Sequence, residues 1–469
     1  MRRGRELFFM IAFAILVSAF AALGIFARAT YGAQTTADEP QYLLSALSLW
    51  EDGNLDISDE LADERYRSFH EADLPEQTLA FPDGRRVSPH DPLLPLLLAL
   101  PMGLGGWIGA KATLAVAGGA LAALMVWVGR HRFGVSAATA YVTAGLFALA
   151  PPLVIYSTQV YPEVVAALVL LAGFGALIGP FGRRGQITCA VVVIVLPWLA
   201  IKYVPLAATL AVAGLIKGTK GARRWLAATF AVAAAAYVAG HMAIYDGLTA
   251  YAAGDHFVGG ELTVVGSQVD LWGRSTRLIG LLVDRGFGVA AWQPAFFLLP
   301  VGAGWALARR REDGLISAIS LVITGWLVAT FVALTMHGWW FPGRQIVIVL
   351  PIAIVLIAAW ADEAPNPRLR LLVPLGALGV IASGFLVFEG WQERLTWVVD
   401  FGSTHNPFYQ AIRGVLPDYM NADALTWALH GLWVVAALLA GWLGRRGASV
   451  QAGDTPHRMS TQTPAMKGH

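Results

Sequence analysis

One cysteine in 469 residues, Cys189, has no partner within the chain, which excludes an intramolecular disulfide framework and a cysteine-based metal site. Charge is equally scarce. Asp, Glu, Lys and Arg make up 14% of the residues, against about a quarter in a soluble domain, while 57% are apolar. That shortage excludes an ordinary water-soluble enzyme, a disordered regulator and a nucleic-acid-binding module. Also missing are an internal repeat of transporter size and a small-residue cleavage site after the first apolar run, which reads as an anchor. What remains is a chain whose main solvent is lipid.

A bilayer core demands runs of about 20 mainly apolar residues, folded as helices so that the backbone satisfies itself. Such runs, or slightly shorter ones, lie at 7–27, 107–129, 135–151, 159–178, 187–199, 203–216, 225–245, 290–309, 314–336, 344–361, 368–388 and 424–443. The expected fold is therefore all-α and polytopic, with about twelve spans. Pro197 and Pro205 interrupt the stretch 187–216, which reads either as a tight hairpin or as one kinked helix. Placing 1–6, 130–134, 179–186, 217–224, 309–313, 361–370 and the tail from 444 in the cytoplasm puts 20 of the 33 basic residues there with only six acidic ones. Both termini are then cytoplasmic, and the hairpin is needed to keep this register. The outer face receives three long loops, 28–106, 246–289 and 389–423. Residues 1–446 form one polytopic domain on this reading, and 447–469, rich in Gly, Ser, Thr and Pro, a disordered cytoplasmic tail.

The first outer loop opens with an acidic pair, Asp38 and Glu39, and Pro40, then continues as a helix to Gly53. Leu43, Leu44, Leu47 and Trp50 share one face, so the segment reads as an amphipathic helix lying on the membrane surface. Asp38 and Glu39 suit helix capping, yet they also sit where a carboxylate faces both lipid and water. An acidic stretch, 51–64, reads as a solvated face. His90 and Asp91 follow, fixed near the interface by Pro89, Pro92 and Pro95.

The Asp38-Glu39 pair after the first span, the long first loop, and Tyr161-Pro162-Glu163 at the outer start of the fourth span resemble the GT-C superfamily of membrane glycosyltransferases. The branch most resembled contains protein O-mannosyltransferases and lipid A aminoarabinose transferases. The segments RLIGLLVDRGFGVAAWQP (277–294) and HGWWFPGR (337–344) are similar to stretches in bacterial members of that branch. The resemblance implies inverting transfer of a sugar from a polyprenyl-phosphate carrier to a lipid, glycan or protein acceptor at the outer face of a bacterial inner membrane, with Asp38 as general base.

Such chemistry needs a carboxylate to take the acceptor proton, cations for the departing phosphate and a groove for the lipid. The outer carboxylates are Asp38, Glu39, Asp91 and Glu163; Glu163 either orients the acceptor and supports Asp38, or caps its helix. Lys202 (beside Tyr203), Arg285 and Arg344 are costly cations in or beside apolar spans, and pair with a phosphate or snorkel. Lys111 reads as a snorkeller. Trp340, with Trp339 and Phe341, suits stacking on a sugar or a place in an interfacial aromatic belt, and His337 could serve as a ligand or donor. A divalent cation fits the chemistry, although no local spacing demonstrates one. A lipid or solute transporter is the competing reading, opposed by the missing repeat and by ionisable groups gathered at the outer ends of spans.

Overall fold

A computed structural model describes residues 2–257, 260–261, 265–266, 269–310 and 314–453. Among them there are helices and turns but no strands, only isolated bridges. Six helices are long and apolar enough to cross a membrane by length and composition, and four shorter apolar helices lie beside them. The chain is a multi-pass membrane protein.

The N-terminal half runs through α1 (Arg2–Ala22), α2 (Glu39–Glu51), α3 (Ser58–Ala62), α4 (Leu93–Arg132), α5 (Ala137–Ala148), α6 (Leu153–Tyr156), α7 (Glu163–Ile178), α8 (Arg183–Leu199), α9 (Val204–Lys217) and α10 (Lys220–Tyr245). Apolar side chains on α1 and α10, such as Leu16 and Val232, point away from the protein, as lipid-facing helices require. The long α4 is two helices joined at Gly106, whose φ of 58° and ψ of −156° lie in a region essentially confined to glycine. The segment before this break folds back over α2; the segment after it is the membrane helix.

The stretch 187–216 is a hairpin. α8 ends at Leu199, a single 3-10 turn carries Ile201–Tyr203, and Pro205 opens α9 in the first turn, where its missing N–H costs nothing. In the C-terminal half, helix Leu350–Asp362 is buried on every side from Leu350 to Ala361. Leu299–Ala308 and the last helix, Ala424–Gly453, approach so closely that a Cβ on Gly304 would sit 1.8 Å from the Gly441 carbonyl oxygen. Small residues at such a crossing are how apolar helices gain contact without a hydrophobic drive. That last helix passes the expected tail boundary at 447; residues 454–469 lie outside the described set.

The basic ends meet on one face. Arg130 pairs with Glu6 and Arg309 with Glu363, Asp362 accepts from the Ser136 hydroxyl, and Lys217 donates to the Leu177 carbonyl. The long loops gather at the opposite face, where Tyr31 bonds Asp400 and the Trp397 amide donates to Arg28. Two expectations need correction. α2 is not a half-exposed surface helix, because everything from Glu39 to Ser48 is buried. Its apolar side packs on α4, and the loop that follows covers its polar side, with the Ser48 hydroxyl donating to the Asp56 carbonyl at 2.7 Å. Lys111 does not snorkel: it is 3% exposed and donates to the Gln34 carbonyl at 2.7 Å.

Candidate active site

Four charged side chains from four separate segments converge at the loop-bearing face. Arg344 follows Gly343, whose φ of +87° makes the turn that aims the guanidinium inward. Its Nη2 donates to Asp38 Oδ2 at 2.6 Å and its Nε to Glu163 Oε1 at 3.1 Å. Lys202, at the tip of the α8–α9 hairpin, donates to the same Glu163 oxygen at 2.7 Å. Arg344 is only 8% exposed and its Cζ lies 3.9 Å from the Tyr161 ring centroid and 5.1 Å from that of Trp340. Two carboxylates and two cations thus form one compact, balanced group.

Asp38 stands at the N-cap position of α2 but makes no side-chain cap bond. Its carboxylate is directed to Arg344 instead. Burial would raise the Asp38 carboxyl, but the Arg344 guanidinium, with His90 and Lys202 behind it, outweighs that and holds it at about 2. Glu163 has its second oxygen buried with no hydrogen-bond partner among the described residues, and the Tyr203 hydroxyl and His90 Nε2 share that condition. Unmet buried polar groups are costly. Here they leave three buried polar atoms able to bond a polar ligand.

Glu39 bonds backbone amides rather than the cations of this group. It is fully buried, accepting from the Val160 amide at 2.7 Å and the Thr36 amide at 3.3 Å, and burial raises its carboxyl. With one backbone donor on each oxygen it fastens the 157–162 turn, which leads into Glu163, to the first loop. Asp91 is also a fastener. It accepts from His241 Nε2 at 2.9 Å, the Tyr237 hydroxyl at 3.2 Å and the Ile201 amide at 3.0 Å, which holds the turn carrying Lys202. His90 stacks on Tyr42 with ring centroids 4.6 Å apart.

Arg285 and His337 are not brought to this group. The turn after Asp284, whose Oδ1 accepts from the Gly286 and Phe287 amides, sends Arg285 to Asp418 at 3.2 Å. His337 Nε2 lies 3.5 Å from Asp284 Oδ2. Sequence reasoning missed Tyr42, Tyr156, Tyr237 and His241. The last two had a signal, since Tyr237, His241 and Tyr245 recur every four residues and so share a helix face. Tyr156, whose hydroxyl donates to the Phe341 carbonyl and fixes the 337–344 segment, had none. Around Asp38 and Glu163 no group of three metal-ligating side chains forms among the described residues; the one such group is Asp52, Asp59 and Glu60.

No family model and no curated protein matches this chain. Solved structures do. ArnT from Cupriavidus metallidurans bound to undecaprenyl phosphate is similar with a TM-score of 0.54 at 15% identity, covering 94% of this chain and 76% of ArnT. The apo state of that protein gives 0.53 at 14% identity, covering 96% and 76%. An Archaeoglobus fulgidus oligosaccharyltransferase in the apo form aligns over 94% of this chain and 56% of its own, with a TM-score of 0.38 at 10% identity. The likeness to ArnT, over nearly the whole chain at so low an identity, is one of architecture: this chain has the GT-C fold of the membrane glycosyltransferases.

Proposed function

We propose that the protein is an inverting glycosyltransferase that moves a sugar from a polyprenyl-phosphate donor to an acceptor hydroxyl at the outer face of a bacterial inner membrane. The observation that carries this is Arg344, buried and shared between Asp38 and Glu163 with Lys202 alongside, on a GT-C fold. The undecaprenyl phosphate bound to ArnT supports a donor of that lipid class.

In the reaction, Asp38 takes the proton of the acceptor hydroxyl as its oxygen attacks the sugar C1 from the side opposite the phosphate. The C1–O bond to phosphate breaks, its electron pair stays on the phosphate oxygen, and Arg344 and Lys202 face the charge that develops there. Glu163 holds both cations in place. Tyr203 and Trp340 line the space for sugar or lipid, and His90 orients a polar group through its free nitrogen. Asp91 and Glu39 fix the segments that carry Lys202 and Glu163.

The test is sugar transfer from a synthetic polyprenyl-phosphate sugar by protein in nanodiscs, across hexose and pentose donors and lipid, glycan and protein acceptors. Transfer lost in Asp38→Asn supports the reading. In sealed proteoliposomes, lipid-linked sugar moved across the bilayer with no glycosidic bond formed would replace it with a flippase. Sidedness is tested separately by labelling intact cells. Ser68→Cys should react with an impermeant reagent and Lys220→Cys should not, while native Cys189 is buried and gives no background.

A further inference from the structure

The acidic stretch 51–64 is not simply a solvated face. Asp52, Asp59 and Glu60 bring carboxylate oxygens to within 4.8 Å of one another, the separation that oxygens about 2.4 Å from one shared ion span. Asp52 and Asp59 are exposed, but Glu60 is 2% exposed, and neither of its buried oxygens has a hydrogen-bond partner among the described residues. A carboxylate turned inward toward two others, with no donor of its own, is expensive unless a positive charge joins it. Arg65, close in sequence, does not supply that charge directly. Its guanidinium is spent on Glu51, at 2.9 Å and 2.7 Å.

The frame around the cluster is rigid on both sides. Asp52 follows the last turn of α2, its amide donating to the Ser48 carbonyl at 2.8 Å, and Gly53 reverses the chain with φ of +70°. Asp56 then accepts from the Ser58 hydroxyl and the Arg86 amide, and the Ile57 amide donates to the Arg86 carbonyl at 2.8 Å. These bonds start α3 so that Asp59 and Glu60 in its first turn face the end of α2.

We propose that Asp52, Asp59 and Glu60 bind a hard divalent cation of the calcium type, which clamps the C-terminal end of α2 to α3. Three carboxylates without sulfur or imidazole favour an oxygen-seeking ion, and two exposed ligands leave room for the waters that complete its shell. The clamp is structural. It steadies the far end of the helix whose first turn presents Asp38, and it stands independently of the transferase reading.

The experiment uses full-length protein in detergent, stripped with EDTA and returned to millimolar CaCl2, read by thermal unfolding and by displacement of luminescent Tb3+. Wild type should bind Tb3+ with displacement by Ca2+, and its unfolding midpoint should rise by about 1–3 °C when Ca2+ exceeds its Kd about tenfold. Glu60→Gln should unfold without cation near the wild-type midpoint, because the amide fills the same buried space, yet show neither Tb3+ binding nor a Ca2+ shift. Asp83→Asn, which removes an exposed carboxylate paired with Arg85, should keep both responses. A wild type with no Tb3+ signal and no Ca2+ shift overturns the proposal, and so does a Glu60→Gln protein that retains the full shift.

Discussion

Asp38→Asn separates a catalytic carboxylate from a structural one with little disturbance of the fold. The asparagine keeps the side-chain shape, and its Oδ1 can still accept from Arg344. No cap bond is lost, since Asp38 makes none. The change weakens one charge-assisted bond between a buried guanidinium and a carboxylate that is 27% exposed, so the expected loss of stability is about 1–3 kcal/mol. A general base is another matter. An amide cannot take the acceptor proton, and removing such a group costs about 10²–10⁴-fold in rate, or about 3–5 kcal/mol of barrier. The pH dependence adds a second readout. With its carboxyl held at about 2, below the ordinary value, Asp38 contributes stability that is present above pH ~4 and lost as pH falls toward ~2. Its ionisation in the donor-free protein therefore produces no acid limb in kcat/KM between about pH 5 and 8. The assay is transfer by wild type and variant in nanodiscs beside their thermal unfolding curves. A variant that folds normally and transfers at the wild-type rate would refute the assignment.

Arg344→Lys keeps a positive charge but loses the planar fork that reaches both Asp38 and Glu163. Donor affinity should fall about tenfold in Arg344→Lys and further in Arg344→Ala, measured by binding of the polyprenyl-phosphate sugar; equal affinity in all three removes Arg344 from the phosphate site. Glu39→Gln leaves one of the Thr36 and Val160 amides without its acceptor, which should cost about 1–3 kcal/mol in thermal unfolding. If Glu39 is a fastener, residual transfer in this variant should recover on cooling; a loss as deep as that of Asp38→Asn in fully folded protein would make it catalytic. Gly106→Ala meets no neighbouring atom within 4 Å, so its cost is purely that of the backbone conformation, about 1–3 kcal/mol. An unchanged unfolding midpoint would show that the joint in α4 relaxes freely.

The membrane helices were legible because lipid imposes a length and a composition on each of them, and the basic ends were legible because charge sorts by side. The fate of α2 was not. Its leucines showed one apolar face, but Gln41, Ser45 and Ser48 are buried too, under a loop whose path depends on contacts far apart in sequence. In the site, Asp38 and Glu163 were found through the acidic pair and the Tyr-Pro-Glu turn that carry the resemblance, and Lys202 and Arg344 as cations out of place in or beside apolar spans. Arg285 met the same criterion and belongs elsewhere, since Asp418, 133 residues away, is what claims it. Cost marks a charge as paired without saying with what. The bonds of Glu39 and Asp91 to the Val160 and Ile201 amides were hidden for the same reason, since every residue but proline has an amide.

On the proposed function, the charge balance of the site bears on when Asp38 becomes a base. At rest Arg344 and Lys202 match Asp38 and Glu163, and a carboxyl held at about 2 is a weak acceptor of protons. A phosphodiester donor brings one more negative charge and competes for the guanidinium face that Asp38 occupies, while Glu163 keeps Lys202. In the proposed reaction Arg344 turns toward the phosphate, the burial that it now outweighs is left to act on Asp38, and the carboxyl rises toward useful basicity only with donor in place. When the sugar leaves in that reaction, Asp38 becomes neutral by taking the proton while the phosphate gains charge. The guanidinium then follows the negative charge from one anion to the other within a single site, restraining the base in the empty enzyme and stabilising the leaving group in the transition state.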